Sequence, residues 1–151
     1  MLQFVLKSFE ELNSLELYNV LQLRADVFVL EQKCLYQDCD DKDQLSMHLM
    51  GYENDKLVAY CRLLKPGLSY HGYSAIGRVV THPLYRNKKY GIDLMKKGIQ
   101  YCLDNYTESI KISAQAYLEK FYTNLGFQTV SAPYLEDDIP HIAMVLKRNE
   151  I

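Results

Sequence analysis

One junction limits what this chain can fold into more than any other. The run AIGRVV (75–80) is short, apolar and β-branched, His82-Pro83 stops it, and a basic loop, YRNKKYG (85–91), follows. Beyond Gly91, the residues Ile92, Met95, Ile99, Cys102 and Leu103 recur at helical spacing, with Lys96, Lys97 and Gln100 opposite. A buried strand that hands over to an amphipathic helix requires a sheet for the strand and a face of that sheet for the helix.

The loop has a chemistry of its own. A helix N-terminus presents backbone N–H groups without intrahelical partners and the positive end of the macrodipole. A loop leading into it wraps further N–H groups around an anion, and phosphate is the usual guest. Arg86, Lys88 and Lys89 add charge, Asn87 and Tyr90 sit among them, and Gly91 lets backbone approach a ligand closely. The segment reads as a pyrophosphate cradle, although a solvated surface corner is built from the same residue types. Neither G-x-x-x-x-G-K-[ST] nor G-x-G-x-x-G occurs, which removes the P-loop and Rossmann classes.

The rest of the chain supplies the sheet. LQFVLK (2–7) alternates as a first strand, and Asn13 followed by Glu16 marks a helix start with reciprocal capping. Leu17, Val20, Leu21, Arg24, Val27 and Phe28 share one face of that helix, and the odd member predicts a partly buried arginine paired with a carboxylate. Residues 45–65 read as a hairpin about Asn54-Asp55. Strands at 73–81, 109–115 and 141–147, with helices from Gly91 and over 117–127, give the order β-α-β-β-β-α-β-α-β, with room for a strand near 128–135. This is an α+β pattern, a mixed and mostly antiparallel central sheet flanked by helices, in one domain over 1–151.

Composition narrows the class further. With 151 residues and 48% hydrophobic content the chain has material for a real core. A formal net charge of −2 argues against a nucleic-acid partner. The N-terminus has no basic lead, and no apolar run approaches the ~20 residues that span a bilayer, so no membrane partner is expected. Four cysteines without an export signal read as reduced thiols, and the expected location is cytoplasmic. An oligomer is compatible with the sequence.

Element order and loop together resemble the GNAT N-acetyltransferase superfamily, whose diagnostic loop runs Arg/Gln-x-x-Gly-x-Gly/Ala from a strand into a helix. Arg86 matches its first position and Gly91 its last, while Lys89 stands where the middle glycine would be. Segments 23–43, 48–67, 76–91, 113–127 and 134–144, in that order, narrow the likeness to the ElaA-like branch. The resemblance implies the acyl-CoA N-acyltransferase fold and acetyl-CoA as co-substrate. It also implies direct attack on the thioester by a primary amine, carried by a small molecule or a peptide. By the same likeness, the backbone of Val79, Val80 and Thr81 would bond the pantetheine and the thioester carbonyl. The 86–91 loop would hold the pyrophosphate, and Tyr122 in KFYTNLGF would protonate the leaving thiolate. A plain core strand predicts the same apolar residues at 79–81, and Tyr122 is one of 13 tyrosines. The alternative is an acyl-CoA sensor of the same fold, which Lys89 in the glycine position favours.

A general base has several candidates: Glu31, Glu136, Asp137 and His141, or water held by them. His141 reads first as a structural hydrogen-bonder. The acidic runs 38–43 and 136–138 suit a cationic acceptor, or are simply solvated. No metal is expected. Cys34 and Cys39 lack a second ligand pair, and DCDDKD departs from a calcium loop at Lys42, Asp43 and Leu49. Cys61 and Cys102 lie on apolar patterns and read as core thiols.

Overall fold

A computed structural model describes residues 2–148. Strand β1 (Gln3–Ser8) leads to helix α1 (Ser14–Arg24), which continues as a π-helical stretch, Ala25–Glu31. The expected capping box is present: the Asn13 side chain accepts from the Glu16 N–H at 2.8 Å, and the Glu16 carboxylate accepts from the Asn13 N–H at 2.9 Å. Hairpin β2 (Met47–Glu53)–β3 (Lys56–Leu64) closes through Asn54 and Asp55, both left-handed with φ of 48° and 65°. That pair is what a tight two-residue turn requires. Then come β4 (Ser74–Thr81), α2 (Tyr90–Asn105), β5 (Ile110–Gln115), α3 (Glu119–Asn124), and strands β6 (Gln128–Thr129), β7 (Tyr134–Glu136) and β8 (Ile139–Leu146). The region near 128–135 thus carries two short strands, and the helix expected over 117–127 is a 3-10 turn followed by the short α3.

The sheet runs β1-β2-β3-β4-β5-β8-β6, with β7 also on β8. Every pairing is antiparallel except β4–β5. Both faces of the sheet are covered, so β3 is buried along nearly its whole length. On one face Ala59, Cys61 and Leu63 meet Leu94, Met95 and Cys102 of α2 and Tyr122 of α3. On the other, Tyr60, Met50 and Val80 meet Val20, Leu23 and Val27 of the first helix. Leu23 is buried there, whereas Leu17, Leu21 and Phe28 are only partly so.

Arg24 is paired with carboxylates, as its place on an apolar face predicted, but it is fully rather than partly buried. Its Nε donates to Asp38 at 2.8 Å and its Nη1 to Asp43 at 2.9 Å. Arg62 pairs with Asp43 and Asp40, and Arg78 with Asp38. Burial opposes ionisation of Asp40, but Arg62 outweighs it and holds that carboxyl well below the ordinary range. His48 completes the cluster between the Asp43 carbonyl, 2.9 Å from Nε2, and the Tyr60 hydroxyl, 2.6 Å from Nδ1. The carbonyl only accepts, so Nε2 carries the proton and Nδ1 accepts from Tyr60. Segment 38–43 is therefore a strap that pins its loop to the sheet, not a free acidic surface for a cationic acceptor.

Candidate active site

The sheet is open at its centre. Strands β4 and β5 pair only at Ser74–Ile110 and Ala75–Lys111, at one end, and diverge beyond. Between them lies a cleft of about 680 Å³, lined among others by Ile76, Val79, Thr81, Ile112, Ala114 and Tyr122. A bulge in β4 helps the divergence. Tyr60 faces Val80 and Arg62 faces Gly77, so Arg78 and Val79 together oppose Cys61. Arg78 sits there at φ 52°, a conformation that costs a non-glycine residue ~1–3 kcal/mol. Its ion pair with Asp38 at 2.8 Å, and its guanidinium 5.6 Å from the Tyr36 ring centre, hold it in place. Sequence reasoning missed Arg78, although a lone arginine in an apolar strand was a signal.

Val79, Val80 and Thr81 all line the cleft, with Val79 and Val80 also packed into the two cores. Their strand edge toward β5 lies beyond the last β4–β5 pair. The basic loop sits at the mouth. A second cavity of about 340 Å³ is lined by Arg86, Asn87, Lys89, Tyr90 and Gly91, and it shares Thr81, Arg86, Gly91 and Phe121 with the first. Lys89 is left-handed, φ 62° and ψ 20°, directly before α2. A lysine thus adopts the backbone that a glycine at this motif position would take freely. Among the described residues the N-cap, Lys89, makes no side-chain capping bond, which leaves the first N–H groups of α2 open to an anion.

Two loop side chains are engaged by Glu53. Lys88 lines neither cavity; it reaches Glu53 at 3.4 Å and lies over the Tyr85 ring at 5.3 Å. Tyr90 is tied by its hydroxyl to Glu53, which raises its pKa to about 12. Arg86 grips Glu31 with two bonds, at 2.8 and 2.7 Å, and this holds the Glu31 carboxyl below its ordinary range.

Tyr122 sits on α3, edge-on to Phe121 and Phe127 with ring centres 5.0 and 6.0 Å away. It is 6% exposed, and burial pushes its phenol well above the ordinary value. It lines the cleft, and among the described residues its hydroxyl has no hydrogen-bond partner. Glu31, Glu136, Asp137 and His141 line the same cleft. Ser113, Gln32 and Gln115, which carried no sequence signal, join them. Among the described residues, no group of three or more His, Cys, Asp or Glu is placed to hold a metal. Cys61 and Cys102 are buried in the core, which raises their thiol pKa values, that of Cys102 to about 11.

A sequence model described as an acetyltransferase (GNAT) domain matches residues 16–148. The chain belongs to the GNAT acetyltransferase family. Its relatives include the protein ElaA of Escherichia coli K12, 42% identical over 137 residues, 89% of each chain. The crystal structure of E. coli ElaA superposes with a TM-score of 0.91 at 39% identity, covering 97% of this chain and 100% of that one. An acyl-CoA N-acyltransferase from Pseudomonas aeruginosa superposes at 0.90 with 41% identity, covering 96% and 99%. A GNAT acyltransferase takes its acyl group from a CoA thioester, and the residues here fit such a co-substrate. The open sheet edge of β4, the uncapped α2 and the left-handed loop lie along one continuous opening. No helix among the described residues is long and apolar enough to cross a membrane.

Proposed function

We propose that this chain is an acetyl-CoA-dependent N-acetyltransferase. A primary amine, on a small molecule or a peptide, attacks the thioester directly. The observation that carries the reading is the gap between β4 and β5, whose cleft is lined by Gly91 at the N-terminus of α2 and by Tyr122 of α3. The pyrophosphate lies on the 86–91 loop, received by the first N–H groups of α2 and by Arg86, Asn87 and Lys89. The pantetheine extends β4 as a strand would, bonding the free backbone edge at Val79, Val80 and Thr81. Their N–H groups are fixed before the substrate arrives, so polarising the carbonyl costs no reorganisation. Tyr122, kept protonated by its burial, gives its proton to the departing sulfur.

Arg86 is engaged by Glu31, so the pyrophosphate competes with that carboxylate for the guanidinium. The exchange is inexpensive, because an exposed ion pair is worth ~0–1 kcal/mol. The test is calorimetric titration of CoA and acetyl-CoA, followed by free-thiol release with acetyl-, butyryl- and octanoyl-CoA across a panel of primary amines. Acetyl-CoA binding with amine-dependent thiol release is expected. Binding without thiol release from any donor sinks the enzyme reading in favour of a sensor.

A further inference from the structure

We propose that His141 is the base that takes the proton from the acceptor ammonium, with Glu136 as its charge partner. The proposal rests on the acyl-transfer reading above. It begins from the tautomer. His141 Nδ1 lies 2.7 Å from the carbonyl oxygen of Ile139. That oxygen only accepts, so Nδ1 carries the proton and the neutral ring presents its lone pair at Nε2. The ring is 7% exposed and stacks on Tyr134 at 6.2 Å with a 25° tilt, so its direction is set, yet it lines the cleft.

Nε2 faces a carboxylate. It lies 3.3 Å from one oxygen of Glu136, whose other oxygen accepts from the Ser113 hydroxyl at 3.2 Å. A lone pair and a carboxylate at that distance repel unless a proton sits between them. The pair is satisfied by an imidazolium, or by an N–H of an incoming ammonium that bonds both. Such a site draws in a protonated amine and removes its proton.

The sheet puts this pair on the correct side. Ile112 and Ala114 of β5 point into the core with Tyr122, so Ser113 and Gln115 point to the opposite face. His141 pairs with Gln115 across the β5–β8 ladder and shares that face. A thioester in the gap is thus met by Tyr122 from one face and by His141 from the other, as in-line attack requires. The rival carboxylates are less suited. Glu31 is committed to Arg86, and Asp137 sits exposed in the β7–β8 turn. The titratable groups around His141 are Glu136 and Tyr134 on β7, Asp137 in the turn, and Glu31, Cys34 and Tyr36 across the cleft.

The ammonium gives one proton to Nε2, which passes it to solvent. The neutral nitrogen attacks the thioester carbonyl, the C–N bond forms and the C–S bond breaks. Tyr122 protonates the thiolate and regains its proton from solvent, which takes the second proton from the new amide nitrogen.

The test has two readouts. The first needs no turnover: long-range ¹H–¹⁵N correlation of the imidazole should show Nδ1–H with bare Nε2 in the neutral form, and the opposite tautomer overturns the proposal. The second is thiol release from acetyl-CoA with 1,4-diaminobutane and the amine panel, for the wild type, His141→Gln and Glu136→Gln. His141→Gln should lose ~10²-fold in turnover, with acetyl-CoA affinity and melting temperature nearly unchanged. Glu136→Gln, at an exposed side chain, should raise the amine KM more than it lowers kcat and leave acetyl-CoA affinity unchanged, because the carboxylate that faces Nε2 and draws in the ammonium is lost. A wild type that turns over while His141→Gln stays within a few-fold of it overturns the base alone. A wild type that binds acetyl-CoA and releases no thiol overturns the transferase reading, and the base falls with it.

Discussion

Replacing Tyr122 with phenylalanine separates chemistry from packing. The edge-on contacts with Phe121 and Phe127 involve the ring, which phenylalanine keeps. Among the described residues the hydroxyl has no hydrogen-bond partner, so its removal strands no buried group. Stability should therefore stay within about 1 kcal/mol of the wild type. Catalysis should not be spared. A positioned general acid contributes ~10²-fold or more, so turnover should fall by that order, equivalent to about 2.7 kcal/mol of barrier. The thiolate limits the loss, because it is a tolerable leaving group near neutral pH. Burial keeps the phenol protonated beyond its ordinary range, so Tyr122 should impose no alkaline limb on activity near pH 10. The assay is thiol release under saturating acetyl-CoA, with affinity measured separately by calorimetry. A fall of only a few-fold, or a loss of acetyl-CoA affinity equal to the loss of rate, refutes the acid role and leaves Tyr122 a packing residue.

Glu31→Gln should free Arg86 and raise acetyl-CoA affinity by up to ~5-fold, the worth of an exposed ion pair; calorimetry showing weaker binding contradicts the loop placement. Gly91→Val should fold, since a Cβ there lies 3.6 Å from Phe121 Cζ and 3.8 Å from Thr81 Oγ1, but its methyls enter the passage between the two cavities. Acetyl-CoA affinity should then drop by ~1–3 kcal/mol, and unchanged affinity argues that the co-substrate takes another path. Asp43→Asn should destabilise the fold by ~3–5 kcal/mol in chemical denaturation, because Arg24 and Arg62 lose a shared buried counter-charge. Asp40 and Asp43 have depressed folded pKa values, so their contribution is present above the unfolded value of ~4 and is lost as pH falls below it. The melting temperature of the wild type should fall steeply below pH 4, and that of Asp43→Asn less so.

The features legible in the sequence are the ones with local causes. The strand–loop–helix junction, the Asn13–Glu16 capping box and the Asn54-Asp55 turn depend on residues a few positions apart, where periodicity and turn chemistry act directly. The opening between β4 and β5 is a different kind of feature. It is the absence of pairing between strands that meet at Ser74 and Ile110, and no local pattern marks where pairing stops. Likewise the acidic run 38–43 looks solvated until Arg24, Arg62 and Arg78 converge on it from three elements. Glu31 and Arg86 lie far apart in the chain, and Lys88 turns to Glu53 across a strand. Lys89 read as a departure from a glycine motif because residue type is visible in sequence, whereas its left-handed backbone is visible only in the fold.

We propose above that the gap between β4 and β5 holds an acyl thioester for attack by an amine. Incubation of the protein with acetyl-CoA and the amine panel, following free thiol and N-acetyl product together, tests it most directly. Both should appear in equal amounts, depend on the amine, and be suppressed by free CoA competing for the same gap. Thiol released without any N-acetyl product, or acetyl-CoA left intact with every amine while it remains bound, would contradict it.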